Sequence, residues 1–502
     1  MNNVSLDIEA ATQQRADKSA IVHAPSGDVV SYRLLAERVE ALTGALRSFG
    51  IEKGDRVAIV DGNTVNHIIS WYAILRAGAM AVDFNFLLSG HEWGHVSTDC
   101  RPRLAIVGKQ FTPTIAGSGD QAVWETESLW DRPSPSELRV PHVHSLDDPA
   151  VIAYTSGTTG LPRGVVHSHR SLARQLNLLQ RVCGYDETWT AYVAVPLFAL
   201  QGFLPQVAAT LRFGGTVVLD DKFDPIRFAE MSRRYPITYT TLSSPMIPRL
   251  LELDETNRID LSHIRVLSCG GAPLHEDART AFEDRFRVHL TQGYSSTEVL
   301  GAFVMELHGD APVGAAGRVF SDRDDPIRIM KDDVGSAAEV DQVGEIAFHR
   351  SCALMRYWNH GDTEGSPFIG DEWYPTGDIG RFDDGGYLYV LDRKKDVVIR
   401  GGFNIYSAEI ERVLLSHSAV LEAVVVGAPD DRVGEVPIAF VVCEPGSDIT
   451  DEELHEYAHV RLGRLKTPES ITKVQFDDLP RNSIGKVQKA ELRYMIRAQT
   501  AY

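Results

Sequence analysis

Short apolar runs alternate with amphipathic stretches through the first half of the chain. Residues 55–61 (DRVAIVD) form one such apolar run, and residues 64–79 have the spacing of a helix with one apolar face and Thr64 as its N-cap. The apolar runs 80–85 and 103–108 follow, with a polar helical stretch between them. Because strands that are joined by helices usually lie parallel, this order predicts a parallel sheet covered by helices.

A second set of runs resembles the first. The apolar runs 215–220 and 237–245 flank a stretch of helical spacing, and residues 263–274 add a strand that ends in a glycine turn. From about residue 344 the runs become short, β-rich and separated by Gly and Asp, which is typical of an antiparallel or barrel-like piece. We therefore predict an α/β fold with two stacked α/β sheets, followed by an antiparallel or barrel-like piece.

The chain has 502 residues, which is more than one hydrophobic core usually organises, so at least two domains are expected. The pattern after Arg393 is compact and α+β, and Thr450 with Glu453 forms a capping box for its last helix. The charged segment LDRKKDV between the two patterns has the composition of an exposed hinge. We predict an N-terminal domain at 1–392 and a small α+β C-terminal domain at 393–502.

Charge and composition exclude several classes of partner. The formal net charge of −19 argues against nucleic acid or an anionic membrane as the main partner. No apolar run approaches the roughly 18 residues that a membrane span needs, and the N-terminus lacks the basic and apolar regions of a signal peptide. The five cysteines form no CxxC pair. We expect a cytoplasmic protein with reduced thiols, no nucleic-acid partner and no membrane span.

Residues 91–95 (HEWGH) match the H-E-x-x-H pattern, in which two histidines on one helical face bind zinc and the glutamate acts as a base. Gly90 and Gly94 weaken that helix, and no third ligand can be assigned downstream. The alternative is a surface helix between two sheet strands, with His91 near its start. The sequence favours this alternative over zinc catalysis.

The stretch from Tyr154 to His169 (YTSGTTGLPRGVVHSH) concentrates Ser, Thr and Gly directly after an apolar run. Such residues bury little apolar surface, but they offer hydroxyl groups and open backbone N–H groups, the donors that anionic oxygens need. The stretch is not a Walker loop, because no Gly-Lys-Ser/Thr follows and Pro162 disfavours an immediate helix. Taken alone, it is either an anion-binding loop or a plain turn.

Four further motifs decide between these alternatives. They are QGYSSTE (292–298), YPTGDIG (374–380), DRKKDVVIRGGFNIYSAEIE (392–411) and LPRNSIGKVQK (479–489). Together with the Tyr154 stretch, and in this order, they resemble the adenylate-forming superfamily of acyl-CoA synthetases, firefly luciferase and peptide-synthetase adenylation domains. The resemblance covers nearly the whole chain and is closest to the acyl-CoA synthetases.

The resemblance implies a large N-terminal domain of two α/β sheets plus a small β-barrel, a small mobile C-terminal domain, and a reaction in two steps. A carboxylate attacks the α-phosphorus of ATP to give an acyl-adenylate and pyrophosphate, and a thiol, usually coenzyme A, then displaces AMP. ATP, Mg²⁺ and coenzyme A are expected with a small carboxylic acid, in a monomer or homodimer. The alternatives are that a carrier protein, an amine or another nucleophile accepts the activated group, or that the chain is a nucleotide-binding homologue without catalysis.

The same resemblance implies a role for each matching position. Glu298 is expected to bind Mg²⁺, and Thr297 to bond the α-phosphate. Tyr294 is expected to stack on adenine, and Asp378 with Arg393 to hold the ribose, although in isolation Tyr294 would be a core aromatic and Asp378 a turn former. The phosphate loop is expected to consist of Thr155, Ser156, Gly157, Thr158, Thr159, Gly160 and Arg163. The second wall of the adenine pocket is expected from Gly271, Ala272 and Pro273. The acid pocket is expected to be lined by Phe198, Ala199, Ser243, Gly270 and Ser295.

Lys486 is the residue that the resemblance implies for catalysis, because its ammonium can neutralise charge between the carboxylate and the α-phosphate. The alternative is an ordinary surface lysine near the end of the chain. Lys395 occupies the hinge position, and Gly401 with Gly402 is expected to bring backbone to the thiol tunnel after the C-terminal domain rotates.

The sequence departs from its family at several places. Arg163 stands where the phosphate loop usually has lysine, and a guanidinium still supplies charge there. Ala199 stands where acyl-CoA synthetases often have histidine, and an α-ammonium group beside it would be buried without a partner, so α-amino acids are not expected. Ser407 replaces a common proline, and Arg350 and Arg356 replace common glycines. Aromatic, short-chain and medium-chain acids all remain open.

Overall fold

The computed structural model describes residues 3–88, 90–115, 121–131, 145–155, 162–254, 256, 258–270, 276–307, 309–332, 335–359, 366–481 and 487–500. None of the helices within these ranges is both long enough and apolar enough to span a bilayer. The helices are α1 (Asp7–Arg15), α2 (Tyr32–Ser48), α3 (Val65–Ala77), α4 (Gly90–Cys100), α5 (Thr112–Ile115), α6 (His169–Cys183), α7 (Leu200–Phe203), α8 (Ala209–Arg212), α9 (Pro225–Arg234), α10 (Met246–Leu251), α11 (Glu276–Phe286), α12 (Ser407–Leu415), α13 (Asp451–Lys466) and α14 (Lys489–Thr500).

The strands belong to four sheets. They are β1 (Ser19–His23), β2 (Val29–Ser31), β3 (Arg56–Val60), β4 (Met80–Asp83), β5 (Leu104–Val107), β6 (Ala122–Glu125), β7 (Pro149–Thr155), β8 (Arg163–Ser168), β9 (Thr190–Val193), β10 (Thr216–Leu219), β11 (Tyr239–Ser243), β12 (Val266–Gly270), β13 (Leu290–Thr291), β14 (Gly293–Tyr294), β15 (Ala302–Met305), β16 (Gly317–Ser321), β17 (Ile327–Met330), β18 (Gly344–His349), β19 (Arg356–Tyr357), β20 (Trp373–Phe382), β21 (Tyr387–Arg393), β22 (Val398–Arg400), β23 (Phe403–Ile405), β24 (Val420–Asp430), β25 (Gly434–Cys443) and β26 (Ser470–Lys473).

Two of the sheets are mainly parallel and carry the two α/β layers. The first sheet has the order β13-β12-β11-β9-β10-β1-β2, in which β2 alone of the described strands runs antiparallel to its neighbour. The second sheet has the order β19-β8-β7-β4-β3-β5-β6, in which β3 to β7 are parallel and β8 is antiparallel to both of its neighbours. The predicted pair of α/β sheets is confirmed.

The other two sheets are mostly antiparallel. The third sheet has the order β14-β15-β16-β21-β20-β18-β17, so the β-rich runs after residue 344 join strands that begin at Gly293. The C-terminal sheet has the order β23-β22-β25-β24, and β26 adds a parallel strand beside β25. The last strand of the third sheet ends at Arg393, and the first strand of the C-terminal sheet begins at Val398.

Local sequence signals set several element ends. The Thr64 hydroxyl accepts a 3.0 Å hydrogen bond from the His67 N–H at the start of α3, as predicted. Before α13, the Thr450 N–H donates to Glu453 Oε2 at 2.8 Å and the Glu453 N–H donates to Thr450 Oγ1 at 3.1 Å. This confirms the predicted capping box. Strand β1 was not predicted, and it brings the N-terminal region into the first sheet beside β10.

Helix α3 lies between the two parallel sheets, which explains why it is apolar on nearly all sides. Every residue from His67 to Leu75 is buried, and Trp71 and Tyr72 are fully excluded from solvent. The same hydrophobic cluster includes Ile59 of β3 in the second sheet and Val193 of β9 in the first. A helix that is covered on both sides has no polar face to present, so the amphipathic pattern weakens there.

A buried asparagine joins the carboxyl ends of the two parallel sheets. Asn63, which follows β3, donates through Nδ2 to the carbonyls of Val195 and Asp220, each at 3.0 Å. Its Oδ1 accepts a 3.0 Å hydrogen bond from the Leu197 N–H. Asn63 is 4% exposed, so these three backbone groups are satisfied away from water. The loop that they fix continues into Phe198 and Ala199.

A buried histidine joins the second sheet to the segment that follows β14. His167 of β8 is fully buried, and its Nε2–H donates to the Thr297 carbonyl at 2.7 Å. Burial lowers the pKa of His167 from 6.5 to about 4, so the side chain is neutral at physiological pH. The neutral tautomer therefore carries its proton on Nε2 and positions the backbone beside Glu298.

Replacing Asn63 by Ala is expected to destabilise the protein by about 3 kcal/mol or more, because three buried backbone groups would lose their partners at roughly 1–3 kcal/mol each. Urea unfolding would measure the loss. The matched control is Asn66→Ala, because Asn66 is half-buried and donates one 3.1 Å hydrogen bond to the Thr126 carbonyl. Equal losses for the two variants would contradict the role of Asn63.

Replacing His167 by Gln is expected to reduce acid sensitivity. Because the folded pKa lies below the unfolded one, the stabilising effect of neutral His167 is complete above pH 6.5 and is lost as the pH falls towards about 4. That difference corresponds to about 3 kcal/mol. Denaturant unfolding of both proteins between pH 4 and 7.5 would show it, since other titrating groups affect both alike. Parallel pH profiles for the wild type and His167→Gln would refute the assignment.

Candidate functional site

A tyrosine, a carboxylate and a guanidinium meet where β14, β20 and β21 come together. The Tyr294 hydroxyl donates to Asp378 Oδ2 at 2.7 Å, and Arg393 Nε lies 3.3 Å from Asp378 Oδ1. Asp378 and Arg393 are direct cross-strand partners. Burial, together with the Asp378 charge, raises the pKa of Tyr294 well above its usual value, so the phenol remains a donor. The structure thus brings together three residues that the sequence predicted for adenine and ribose.

Close backbone packing explains the glycines beside these residues. A Cβ atom on Gly293 would lie 2.6 Å from the Val304 carbonyl oxygen of β15, so only glycine lets Tyr294 sit at this strand end. Gly377 precedes Asp378 with φ of +77°, in the left-handed region that other residues rarely adopt. The Asp378 N–H donates to Thr376 Oγ1 at 3.1 Å. The backbone beside Tyr294 and beside Asp378 is therefore fixed in shape before any ligand binds.

A second cluster surrounds Glu298. The Tyr357 hydroxyl lies 3.4 Å from Glu298 Oε1, to which it donates, and 2.8 Å from the Tyr374 hydroxyl. Arg163 Cζ lies 5.8 Å from the centre of the Tyr357 ring. Burial and the Glu298 charge raise the pKa of Tyr357 to about 12, and they also raise the pKa of Tyr374. Both phenols therefore remain protonated beside the carboxylate.

The sequence did not single out Tyr357, Tyr374 or His167 as functional residues. Tyr374 opens the YPTGDIG motif, and Tyr357 lies in the segment MRYWN. Their position inside or beside motifs is the signal that could have identified them. The contact between His167 and Thr297 spans 130 residues of sequence, so no local pattern indicates it.

The two ends of the predicted phosphate loop meet in the structure. Thr155 at the end of β7 and Arg163 at the start of β8 are cross-strand partners. The loop residues Ser156, Gly157, Thr158, Thr159 and Gly160, the adenine-wall residues Gly271, Ala272 and Pro273, and Lys486 lie outside the described residues. Arg481 and Val487 form an antiparallel bridge, so the base of the Lys486 segment is closed.

The residues predicted for the acid pocket lie at the ends of strands or follow them. Ser243 and Gly270 are cross-strand partners at the carboxyl ends of β11 and β12. Phe198 packs edge-on against Phe86, with ring centres 5.2 Å apart. Two further members lie in loops: Ala199 begins α7 by accepting from the Phe203 N–H at 2.9 Å, and Ser295 is exposed directly after β14. The ring contact that the structure describes for Phe198 is therefore the one with Phe86.

The hinge region contains a short helical turn and a tight hairpin. Lys395 lies in the 3-10 turn Lys394–Asp396, and its carbonyl accepts from Arg493 of α14 at 3.4 Å. Gly401 and Gly402 form the two-residue loop between β22 and β23, with φ of +59° and +86°. Positive φ at both positions is typical of a type I′ turn, which glycine adopts without strain. The predicted tunnel glycines are therefore exposed backbone at a hairpin tip.

The zinc-like pattern has a different structure from a metal site. His91 is exposed, whereas His95 Nε2 donates to the Pro162 carbonyl at 3.0 Å. Helix α4, which carries the pattern, lies between β4 and β5, and Trp93, Val96 and Cys100 form its buried face. In the part of the chain that the structure describes, no group of three His, Cys, Asp or Glu side chains could hold a metal ion. The geometry gives zinc catalysis no support.

Comparison with known proteins shows the family of the chain. The family model described as AMP-binding enzyme matches residues 8–358, and that of the AMP-binding enzyme C-terminal domain matches residues 409–486. Feruloyl-CoA synthase from Amycolatopsis sp is 32% identical, over 98% of this chain and 99% of that protein. Long-chain-fatty-acid–CoA ligase FadD13 from Mycobacterium tuberculosis is 30% identical, over 96% of this chain and 97% of that protein.

Solved structures show the same fold. ATP-bound MatB from Rhodopseudomonas palustris superposes with a TM-score of 0.88 at 27% identity, covering 99% of each chain. O-succinylbenzoate coenzyme A synthetase (MenE) from Bacillus subtilis, in complex with ATP and magnesium ion, superposes with a TM-score of 0.86 at 27% identity, covering 97% of this chain and 98% of that one. The chain therefore belongs to the AMP-binding enzyme family, which confirms the adenylate-forming resemblance, the α/β fold and the acid–thiol ligase class that the sequence predicts.

Proposed function

We propose that this protein joins a carboxylic acid with an apolar body to AMP, using ATP and Mg²⁺, and then transfers the acyl group to coenzyme A. The observation that carries the proposal is the convergence of Tyr294, Asp378 and Arg393, which lie on three strands of the third sheet, with Glu298 four residues after Tyr294. These groups match the parts of a nucleoside triphosphate: an aromatic base, a diol, and phosphates with a cation.

The nucleotide would bind along these residues in order. Tyr294 would stack on adenine, and Asp378 would accept hydrogen bonds from the ribose hydroxyls, with Arg393 beside it. In the first step a carboxylate oxygen attacks the α-phosphorus, and the bond to the leaving pyrophosphate breaks. Lys486 and the Thr297 hydroxyl would stabilise the charge that grows on the α-phosphate oxygens.

The residues around Glu298 suit a magnesium ion. Mg²⁺ binds through one or two carboxylates and the phosphates of its substrate, so a single protein carboxylate is sufficient. The Tyr357 phenol donates to Glu298 Oε1, which orients the carboxylate while leaving acceptor positions on it. When bound, the ion would neutralise phosphate charge. Thr155 to Gly160 and Arg163 would hold the β- and γ-phosphates from the other side.

In the second step the coenzyme A sulfur attacks the acyl carbon, the thiol proton is released, and AMP leaves as the carbon–oxygen bond breaks. We propose that the C-terminal domain, 393–502, rotates about Lys395 relative to the N-terminal domain, 1–392. Gly401 and Gly402 would then line the path of the thiol. Their exposed hairpin tip supports this, because a backbone without side chains can approach a narrow ligand closely.

The acid is proposed to carry no charged amine. Ala199 offers no group to pair with an α-ammonium, and Phe198 and Phe86 add aromatic surface to the same loop. Feruloyl-CoA synthase and the long-chain-fatty-acid–CoA ligase are named for acids with apolar bodies, which supports the same class. Pyrophosphate release without thioester formation when coenzyme A is added would instead indicate another acceptor, such as a carrier protein.

Pyrophosphate release across a panel of acids, with and without coenzyme A, would test this function. Ferulate, benzoate, octanoate, acetate and phenylalanine would cover the classes. Release is expected with an acid that has an apolar body and not with phenylalanine, and a thioester is expected only when coenzyme A is added. Unconsumed ATP against every acid, or a preference for phenylalanine, would overturn the proposal.

The Lys486→Ala variant tests the catalytic role of Lys486 in the same assay. Adenylation is expected to fall by about 10²–10³, because one electrostatic contact in the transition state is removed. Thioester formation from supplied acyl-adenylate should remain near the wild-type rate. Undiminished pyrophosphate release by Lys486→Ala would remove this residue from the mechanism.

Replacing Lys395 by Pro is expected to slow thioester formation more than adenylation. Proline fixes φ near −65° and disfavours the helical conformation of the preceding residue, so rotation about this turn would be restricted. Lys395→Ala is the control, because it removes the side chain and leaves the backbone free. Single-turnover measurement of each half-reaction would separate the two, and equal losses in both would argue against a hinge here.

A further inference from the structure

Helix α4 contacts both chain segments that flank the predicted phosphate loop. Before the loop, the Tyr154 hydroxyl donates to Asp99 Oδ2 at 2.5 Å. After the loop, the Pro162 carbonyl accepts from His95 Nε2 at 3.0 Å. His95 and Asp99 are four residues apart and so lie on one face of α4. One helix face therefore bonds to residues on both sides of segment 156–161.

The strands at the base of the loop are packed too closely to shift independently. Tyr154 and Gly164 are cross-strand partners in the β7–β8 pair. A Cβ atom on Gly164 would lie 3.1 Å from Tyr154 Cζ and 3.1 Å from Trp358 Cβ. The Gly164 carbonyl also accepts from the Trp358 N–H at 2.7 Å. A displacement of Tyr154 or Pro162 would therefore be passed to the loop between them.

Asp99 extends the same set of contacts to the Glu298 cluster. Its carbonyl accepts from Trp358 Nε1 at 3.2 Å and from Asn359 Nδ2. Trp358 follows Tyr357, which donates to Glu298. The end of α4 thus contacts Tyr154, directly before the predicted phosphate loop, and Trp358, which follows the tyrosine that donates to the proposed metal ligand.

Helix α4 is held in place by the packing of its buried face. Trp93 is 2% exposed and packs edge-on against Phe84, with ring centres 4.8 Å apart. Val96 and Cys100 on the same buried face are fully excluded from solvent. Burial raises the pKa of Tyr154, so its phenol stays protonated and can donate to Asp99 at physiological pH.

We infer that His95 and Asp99 are positioning residues that hold Tyr154 and Pro162, the residues on either side of segment 156–161, in the arrangement that ATP binding needs. One histidine of the zinc-like HEWGH pattern then serves ATP binding instead of a metal. The inference rests on the proposed function, in which segment 156–161 binds the β- and γ-phosphates. It requires that substitutions of the two histidines of the pattern have different effects on ATP binding. His95 should affect ATP, and the exposed His91 should not.

The experiment compares His95→Ala with His91→Ala in the pyrophosphate-release assay. For His95→Ala the KM for ATP is expected to rise about tenfold, while the KM for the acid stays unchanged. Binding of AMP, which lacks the β- and γ-phosphates, should also stay unchanged by calorimetry. His95→Gln, which keeps an N–H donor, should recover most of the loss, and His91→Ala should behave as the wild type.

Tyr154→Phe gives an independent variant in case His95→Ala does not fold, because it removes one hydroxyl from the Asp99 contact and keeps the ring. It too should raise the KM for ATP selectively. A wild-type KM for ATP in both variants overturns the inference, and so does an equal shift for ATP, AMP and acid. A metal site would be indicated instead if His91→Ala and His95→Ala lost activity equally, and if a chelator inactivated the enzyme and added zinc restored it. That result would overturn the inference. An inactive wild type would instead reject the proposed function.

Discussion

Strand β8 is the element on which much of the candidate site depends, because it joins the predicted phosphate loop and the Glu298 cluster to the second sheet. Its first residue, Arg163, is the cross-strand partner of Thr155 at the base of the predicted phosphate loop. Its partner strand β19 carries Tyr357 towards Glu298, and its buried His167 donates to the Thr297 carbonyl. Strand β8 can make these contacts because it runs antiparallel to β7, and it therefore begins at the edge of the sheet where the parallel strands end. Catalytic groups gather at that edge in open α/β sheets.

The junction between the domains shows how a departure in sequence is accommodated. Ser407, where proline is common in the family, is fully buried and donates through its hydroxyl to Asp392 Oδ2 at 2.9 Å. The same hydroxyl oxygen accepts from Lys489 Nζ at 2.8 Å, and Lys489 pairs with Glu411 at 2.7 Å. A proline could make neither hydrogen bond. The serine thus links strand β21, which ends before the predicted hinge, to helix α14, which follows the Lys486 segment.

Local sequence patterns predicted features that depend on neighbouring residues, such as helix caps. They did not predict contacts between residues that are far apart in the chain. Thr64 caps α3 and Thr450 caps α13 as expected, because the donor and acceptor lie within three residues of each other. The family motifs indicated Tyr294 and Asp378, whose contact spans 84 residues, only because a resemblance already placed them together. The pattern at His95 suggested zinc when taken locally, whereas its acceptor lies 67 residues away. Strand β1 was missed for the same reason, since its partner β10 is far along the chain.

The arginine at position 163 follows from the same geometry. Its guanidinium lies 5.8 Å from the centre of the Tyr357 ring, and the hydroxyl of that ring donates to Glu298. One phenol therefore lies beside both the cation that is proposed to face the phosphates and the carboxylate that is proposed to bind magnesium. A planar guanidinium can lie over an aromatic face and still direct N–H groups elsewhere, whereas an ammonium is a point charge on a flexible stem. Arginine at this position therefore keeps a positive charge at the base of the predicted phosphate loop and lies over an aromatic ring.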